Sequence, residues 1–89
     1  MSVESSVRQF LLSNYLFTDR DEALGNDDSL LQKGIVDSTG MMELIYFLEE
    51  QFGIRILDEE MVPENLDSVN NIVRFLSRKA AASGNQAIG

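Results

Sequence analysis

The sequence contains no cysteine and no histidine, and only one proline among its 89 residues. Without cysteine there is no disulfide framework, no thiolate nucleophile and no zinc cluster of the usual kind. Without histidine, a serine nucleophile lacks its usual general base. No apolar run reaches the length of a membrane span, so no membrane insertion is expected. These absences argue against a stand-alone enzyme, and no catalytic residue is predicted.

The hydrophobic content of 44% is sufficient for a packed core, which argues against disorder throughout. A chain of this length forms one small domain. The first residues lack the basic start and the apolar stretch of a secretory signal. We therefore expect a monomeric cytoplasmic protein.

The net charge of −8 is concentrated in one part of the chain. The segment from Asp37 to Asp67 carries nine of the fifteen acidic residues but only one of the seven basic residues, Arg55. Such a field repels nucleic acid and attracts basic protein surfaces. The same acids also keep a small domain soluble, so charge alone does not identify a partner.

Three segments carry apolar residues at the spacing of one helix face. They run from about Val3 to Asn14, from Ser38 to Phe52 and from Val69 to Arg78. Asp37 is positioned to cap the start of the second helix, and Gly53 to end it. The predicted core positions are Val3, Val7, Phe10 and Leu11, then Met41, Leu44, Ile45, Leu48 and Phe52, and finally Val69, Ile72, Val73 and Leu76.

The connection from Tyr15 to Val36 is long for a structureless loop, so its apolar residues should fasten it to the core. A short helical turn is expected at Asp58 to Met61, closed by Pro63. The fold class is thus all-α: a small four-helix bundle with three main helices, a short helix before the last, and a long loop after the first. The domain spans residues 1–79, and residues 80–89 are predicted to be disordered. The expected fastening residues of the loop are Leu16, Phe17, Leu24, Leu30, Leu31, Ile35 and Val36, with a brief turn opened by Ser29.

The outer face of the second helix mixes apolar and acidic residues. Apolar contacts for affinity and charges for steering are typical of a docking surface. The alternative is that the apolar members lie at the edge of the core, which for Phe47 is an equally good interpretation. The outer face comprises Thr39, Glu43, Tyr46 and Glu50, flanked by Met42 and Glu49 on one edge and by Phe47 on the other.

Ser38 is the first residue of that helix, and Asp37 precedes it. A phosphate ester on its hydroxyl would lie where the free amides and the helix dipole favour negative charge. Gly40, two residues later, has no side chain and would let a bulky group or a partner approach. An Asp-Ser pair is also an ordinary helix start, so by itself this motif is weak evidence.

The longer pattern is more specific. The run from Asp28 to Gly40, with Met42-Glu43-Leu44-Ile45 and Leu48-Glu49-Glu50-Gln51-Phe52 after it, closely resembles the acyl carrier protein family. The likeness continues through Pro63-Glu64-Asn65-Leu66-Asp67-Ser68 to Phe75-Leu76, and it covers nearly all of Val3 to Lys79. The resemblance implies a four-helix bundle whose Ser38 is esterified by 4′-phosphopantetheine from coenzyme A. The thiol of that arm would carry an acyl or aminoacyl group as a thioester.

The resemblance also implies partners. These are a phosphopantetheinyl transferase, a ligase that loads the acyl or aminoacyl group, and downstream transferases or synthases with basic surfaces. They would serve fatty-acid, polyketide, peptide or related biosynthesis. By position, Asp37 matches the motif aspartate. Thr39 and Gly40 are more similar to specialised stand-alone carriers, including D-alanine carriers, than to housekeeping fatty-acid carriers. The recognition residues implied by position are Glu43, Glu49 and Glu50 for charge and Thr39, Met42 and Tyr46 for apolar contact.

Other classes of function fit less well. A calcium loop counted from Asp19 fails at three positions, where Ala23, Leu24 and Leu30 stand, so no metal site is predicted. A DNA-binding domain is excluded by charge. The remaining alternative is an unmodified acidic helical module that docks onto a basic protein. It would tolerate alanine at Ser38, whereas a carrier would not.

Overall fold

The computed structural model describes residues 2–88 of the chain, with side chains as far as Ala80. Four α-helices follow one another: α1 at Val3–Leu11, α2 at Ser38–Phe52, α3 at Pro63–Leu66 and α4 at Val69–Ile88. No strand occurs within this described range. The predicted small four-helix bundle with a long first loop is therefore confirmed.

The first helix extends beyond its α-helical part. The Ser2 hydroxyl accepts a hydrogen bond from the Ser5 amide and caps the start of α1. After Leu11 the chain continues as a π-helical turn, Leu12–Leu16, and ends at Phe17 in the left-handed region at φ 53°. The Phe17 side chain is 81% exposed. The expectation that Phe17 fastens the loop is wrong, because the chain reverses at this residue and leaves its ring in solvent.

The core is a single cluster to which all the main helices contribute. Burying one aliphatic side chain contributes about 1.5–3 kcal/mol, so this cluster is the main source of stability. The predicted apolar stripes lie in it or pack against it, as do five of the seven expected loop residues. The other two are Phe17 and Leu31; Leu31 is 42% exposed and does not pack against the cluster, so the expectation that it fastens the loop is also wrong. The buried members are Val7, Leu11, Leu12, Leu24, Leu30, Val36, Leu44, Ile45, Leu48, Ile56, Leu66, Val69, Ile72, Phe75 and Leu76.

A buried arginine holds the first half of the long loop. The Arg8 guanidinium donates to the Asp21 carboxylate at 2.8 Å and to the Asp21 carbonyl at 2.6 Å. It also donates to the Asn26 side chain at 2.5 Å. Arg8 lies beside Val7 on α1 and is almost fully buried. A buried cation requires such partners, and here they come from the loop.

Asp67 holds the second half of the loop. Its carboxylate accepts a hydrogen bond from the Leu31 amide at 2.9 Å and another from the Ser29 hydroxyl. Its carbonyl accepts from the Leu30 amide at 2.8 Å. The Ser29 hydroxyl in turn accepts from the Gln32 amide at 3.1 Å, which opens the predicted turn. The loop therefore reaches Ser38 as a fastened segment.

The short helix before the last lies later than predicted. Asp58–Glu60 forms only a 3-10 turn, and the short α-helix is Pro63–Leu66. Pro63 therefore begins a helix and does not close one, because proline suits the first helical position, where its missing N–H is not needed. The sequence offers either Ser68 or Asp67 as the cap of α4, and in the structure the Ser68 hydroxyl takes this role by accepting from the Asn71 amide at 3.0 Å.

The last helix extends past the predicted end at Arg78, since α4 reaches Ile88. Among the side chains described, Leu76 is its last buried residue, and Lys79 pairs with Glu60 at 2.8 Å. A domain that ends at Lys79, followed by a disordered tail of 80–89, stays a prediction. In residues 2–88, none of the helices has both the length and the apolar character needed to cross a bilayer.

Candidate functional site at the start of helix α2

Ser38 is the first residue of α2, and its side chain is exposed. Asp37 before it has extended backbone angles, and its carboxylate accepts a hydrogen bond from the Gly40 amide at 2.7 Å. The Asp37 carbonyl accepts from the Met41 amide at 2.8 Å and so begins the helical ladder. The predicted N-cap is thus confirmed. The cap presents the Ser38 hydroxyl at the positive end of a helix of fifteen residues.

Gly40 has a packing role that the sequence did not reveal. It is buried, and a Cβ atom built there would lie 3.1 Å from Cε1 of Tyr15 and 3.3 Å from the Val36 Cβ. Such distances are tighter than ordinary carbon contacts. The space beside Gly40 is therefore occupied by the chain itself. The idea that a partner approaches Gly40 closely on this side is wrong, because Tyr15 lies there.

The outer face of α2 presents apolar and acidic side chains together. Met42 is 40% exposed and Tyr46 is 62% exposed, and Thr39, Glu43 and Glu50 are exposed with them. This arrangement suits contact with a basic, partly apolar surface.

Phe47 belongs to the core edge and not to that outer face. It stacks on Phe10 of α1 with ring centroids 4.2 Å apart and meets Phe52 edge-on at 6.4 Å. Stacked and edge-on pairs of this kind stabilise the packing of helices. Of the two interpretations that the sequence left open for Phe47, the structure supports the edge-of-core one.

Glu49 is committed to the chain after α2. It is half-buried, and its Oε2 accepts a hydrogen bond from the Ile56 amide at 2.9 Å. Its carbonyl accepts from Gly53, which ends α2 in the left-handed region at φ 64°, as expected of this glycine. The carboxylate thus holds the extended segment against α2. We expect Glu49 to contribute to stability and not to partner contact alone.

Replacing Glu49 with alanine should therefore destabilise the domain. The Ile56 amide loses a charged acceptor beside a buried side chain, so we expect the free energy of unfolding to fall by about 1–3 kcal/mol. Urea denaturation followed by circular dichroism measures this. Glu50→Ala is the matched control, since Glu50 is exposed and adjacent, and should change the value by about 0.5 kcal/mol or less. Equal losses in the two variants would contradict the assigned role of Glu49.

Sequence reasoning missed Tyr15. This residue lies in the π-helical turn after α1, and its hydroxyl donates to Oε1 of Glu43 and lies 3.3 Å from the Gly40 carbonyl oxygen. A tyrosine next to apolar residues resembles any other core-edge aromatic. Only the fold brings it to Gly40, which is 25 residues away.

Comparison with known proteins gives the following similarities. No protein-family model matches the chain. An acyl carrier protein from Arthrobacter sp. is 38% identical over 60 residues, which are 67% of this chain and 72% of that protein. One from Thermosynechococcus vestitus is 46% identical over 46 residues, 52% of this chain and 54% of the relative. A D-alanyl carrier protein from Abiotrophia defectiva is 29% identical over 56 residues, which are 63% of this chain and 71% of that protein.

Proposed function

Because this chain belongs to the acyl carrier protein family, we propose that it is a carrier whose Ser38 is esterified by 4′-phosphopantetheine. The observation that supports this most directly is the exposed position of Ser38 at the first residue of a well-capped helix. In this proposal the chain acts in the cytoplasm and delivers an acyl or aminoacyl cargo to biosynthetic enzymes. It does not itself transform that cargo.

The residues around Ser38 fit a phosphate ester. The helix start supplies backbone amides and a positive dipole end, both of which favour a phosphate group. The hydroxyl lies on the surface, so an enzyme can reach it. Asp37 has one carboxylate oxygen occupied by the Gly40 amide, which holds the residues on both sides of Ser38 in place.

The attached group would supply a thiol on a flexible tether, which this cysteine-free chain lacks. The chain also has no histidine to accept the Ser38 proton. We therefore infer that the transferase supplies the base. The chain's own contribution is to present the hydroxyl and to be recognised.

Recognition is assigned to the outer face of α2 and to the residues around Ser38. Exposed carboxylates would steer basic enzyme surfaces toward Ser38, and exposed apolar side chains would give contact area. The Glu49 carboxylate is already bonded to the Ile56 amide. In this proposal Glu49 therefore contributes to recognition through its negative charge alone. The proposed recognition set is Asp37, Thr39, Gly40, Met42, Glu43, Tyr46, Glu49 and Glu50, with Gly40 acting through the packing of Tyr15.

The test is the intact mass of the protein after incubation with coenzyme A, magnesium and a broad-specificity phosphopantetheinyl transferase. We expect the wild-type chain to gain the mass of one phosphopantetheine and Ser38→Ala to gain nothing. Ser77→Ala is the matched control, because Ser77 is an exposed helical serine on α4, and it should be modified like the wild type.

Two results would overturn this proposal. One is a wild-type chain that stays unmodified with several transferases, which would favour the unmodified docking module. The other is a mass gain that persists in Ser38→Ala, which would place the group on a different residue. Circular dichroism of each variant confirms that it is folded before the masses are compared.

A further inference from the structure

Tyr15 joins the end of the first helix to the start of α2. Its hydroxyl donates to Oε1 of Glu43. Burial, the hydrogen bond to Glu43 and the nearby negative charges of Glu43 and Asp37 together raise the pKa of Tyr15 to about 12. The phenol therefore keeps its proton at neutral pH and remains a donor. A neutral donor orients the carboxylate but leaves its negative charge in place.

Two contacts restrict the Tyr15 ring. Its Cε1 atom lies close to Gly40, only 3.1 Å from where a Cβ atom on that residue would be. Phe10 meets the same ring edge-on, with ring centroids 5.8 Å apart. Phe10 is itself stacked on Phe47 of α2. The hydroxyl is thus carried on a ring with little freedom to move, and its position relative to α2 is set by packing.

Glu43 is otherwise an exposed side chain on a helix face. Such a glutamate normally samples many rotamers, and ordering it against a partner costs conformational entropy. The bond to Tyr15 restricts it before any partner arrives. It follows Ser38 by five residues, which is about 7.5 Å along a helix axis. Of the acidic side chains on the outer face, it is the one nearest to Ser38 along the helix.

We propose that Tyr15 is a positioning residue for partner recognition, which holds the Glu43 carboxylate in the orientation that a basic group of the phosphopantetheinyl transferase binds. This inference rests on the function proposed above for Ser38. It predicts that the hydroxyl of Tyr15, which need not touch the partner, affects recognition through Glu43. A ring without the hydroxyl would not hold the Glu43 carboxylate in this orientation.

The experiment measures kcat and KM of the transferase for four carriers: the wild type, Tyr15→Phe, Glu43→Gln and the double variant. Tyr15→Phe keeps the ring against Gly40 and removes only the hydroxyl. We expect it to raise KM about 2- to 10-fold, the range for one side chain that must be ordered on binding, with kcat unchanged. In the Glu43→Gln background the same change should have no further effect, because the two residues act through one carboxylate.

Salt dependence separates orientation from charge. Tyr15→Phe retains the Glu43 charge, so kcat/KM should fall with ionic strength as steeply as for the wild type. Glu43→Gln removes the charge and should make that fall shallower. Ser13→Ala, which removes a hydroxyl from the same helical turn at an exposed position, is the control and should keep the wild-type KM. Thermal unfolding confirms that every variant is folded at the assay temperature.

The outcomes are distinguishable. An unmodified wild-type chain would overturn the proposed function and this inference with it. A wild type that is modified, together with an unchanged KM for Tyr15→Phe, would overturn the inference alone. An equal rise in KM for Tyr15→Phe with and without Glu43 would also overturn it, because the hydroxyl would then act independently of that carboxylate.

Discussion

Replacing Leu48 with alanine is expected to remove most of the stability of the domain. Leu48 lies in the middle of α2 and is fully buried. Truncating a buried leucine costs about 2–5 kcal/mol, because the transfer free energy is lost and a cavity remains. A core of this size supplies on the order of 3–5 kcal/mol of net stability. A large fraction of the Leu48→Ala protein should therefore be unfolded at room temperature.

Urea denaturation followed by far-ultraviolet circular dichroism measures this loss. Leu57→Ala is the matched control, since the Leu57 side chain is 44% exposed. The urea concentration at the midpoint of unfolding should change much less in this variant. If Leu48→Ala and Leu57→Ala shift the midpoint equally, the inward face assigned to α2 is wrong. The result also bears on function, because the outer face of α2 is defined only if the opposite face is fixed in the core.

Replacing Arg8 with alanine is expected to give the second largest effect. The variant loses charged hydrogen bonds to Asp21 and Asn26 and frees the first half of the long loop. We expect the free energy of unfolding to fall by about 1.5–3 kcal/mol. The loss stays below that of a fully buried ion pair, because the Asp21 side chain is 81% exposed and remains solvated when its partner is removed.

Arg20→Ala is a matched control for Arg8→Ala. Arg20 also pairs with a carboxylate, that of Glu22, at 2.9 Å, but both side chains are largely exposed. Exposed pairs contribute little, so this variant should lose about 0.5 kcal/mol or less. Hydrogen exchange of the amides in residues 21–28 gives a second measurement, and it should accelerate in Arg8→Ala only. Unchanged exchange there would mean that Arg8 does not hold the loop.

Local signals were enough to predict most of the framework. Asp37, Gly53 and Ser68 mark helix ends through short-range hydrogen bonds or a left-handed backbone, and each was predictable from its neighbours along the chain. The apolar stripes identified the core for the same reason, since a helix places residues three and four apart on one face. Pro63 was misplaced because proline is compatible with both the end of one turn and the start of the next.

Contacts between distant residues were not predictable in the same way. Arg8 pairs with Asp21 and Asn26, and Tyr15 with Glu43, and nothing in the local pattern distinguishes these side chains from solvated or core-edge ones. For Glu49 the sequence indicated an exposed recognition residue, but the fold brings the Ile56 amide to its carboxylate. The capped helix start at Ser38 was thus predictable from the sequence, and the contacts of the residues around it were less so.

Gly40 has no side chain, and this has a consequence for related carriers. Because a Cβ atom at Gly40 would crowd the ring of Tyr15, the two positions are sterically linked and should co-vary in evolution. A homologue with a larger residue at the position of Gly40 should carry a smaller one at that of Tyr15, and the neighbouring glutamate would then lose its fixed donor. Differences between carriers in partner choice would in that case originate partly from a residue that lies outside the outer face of α2.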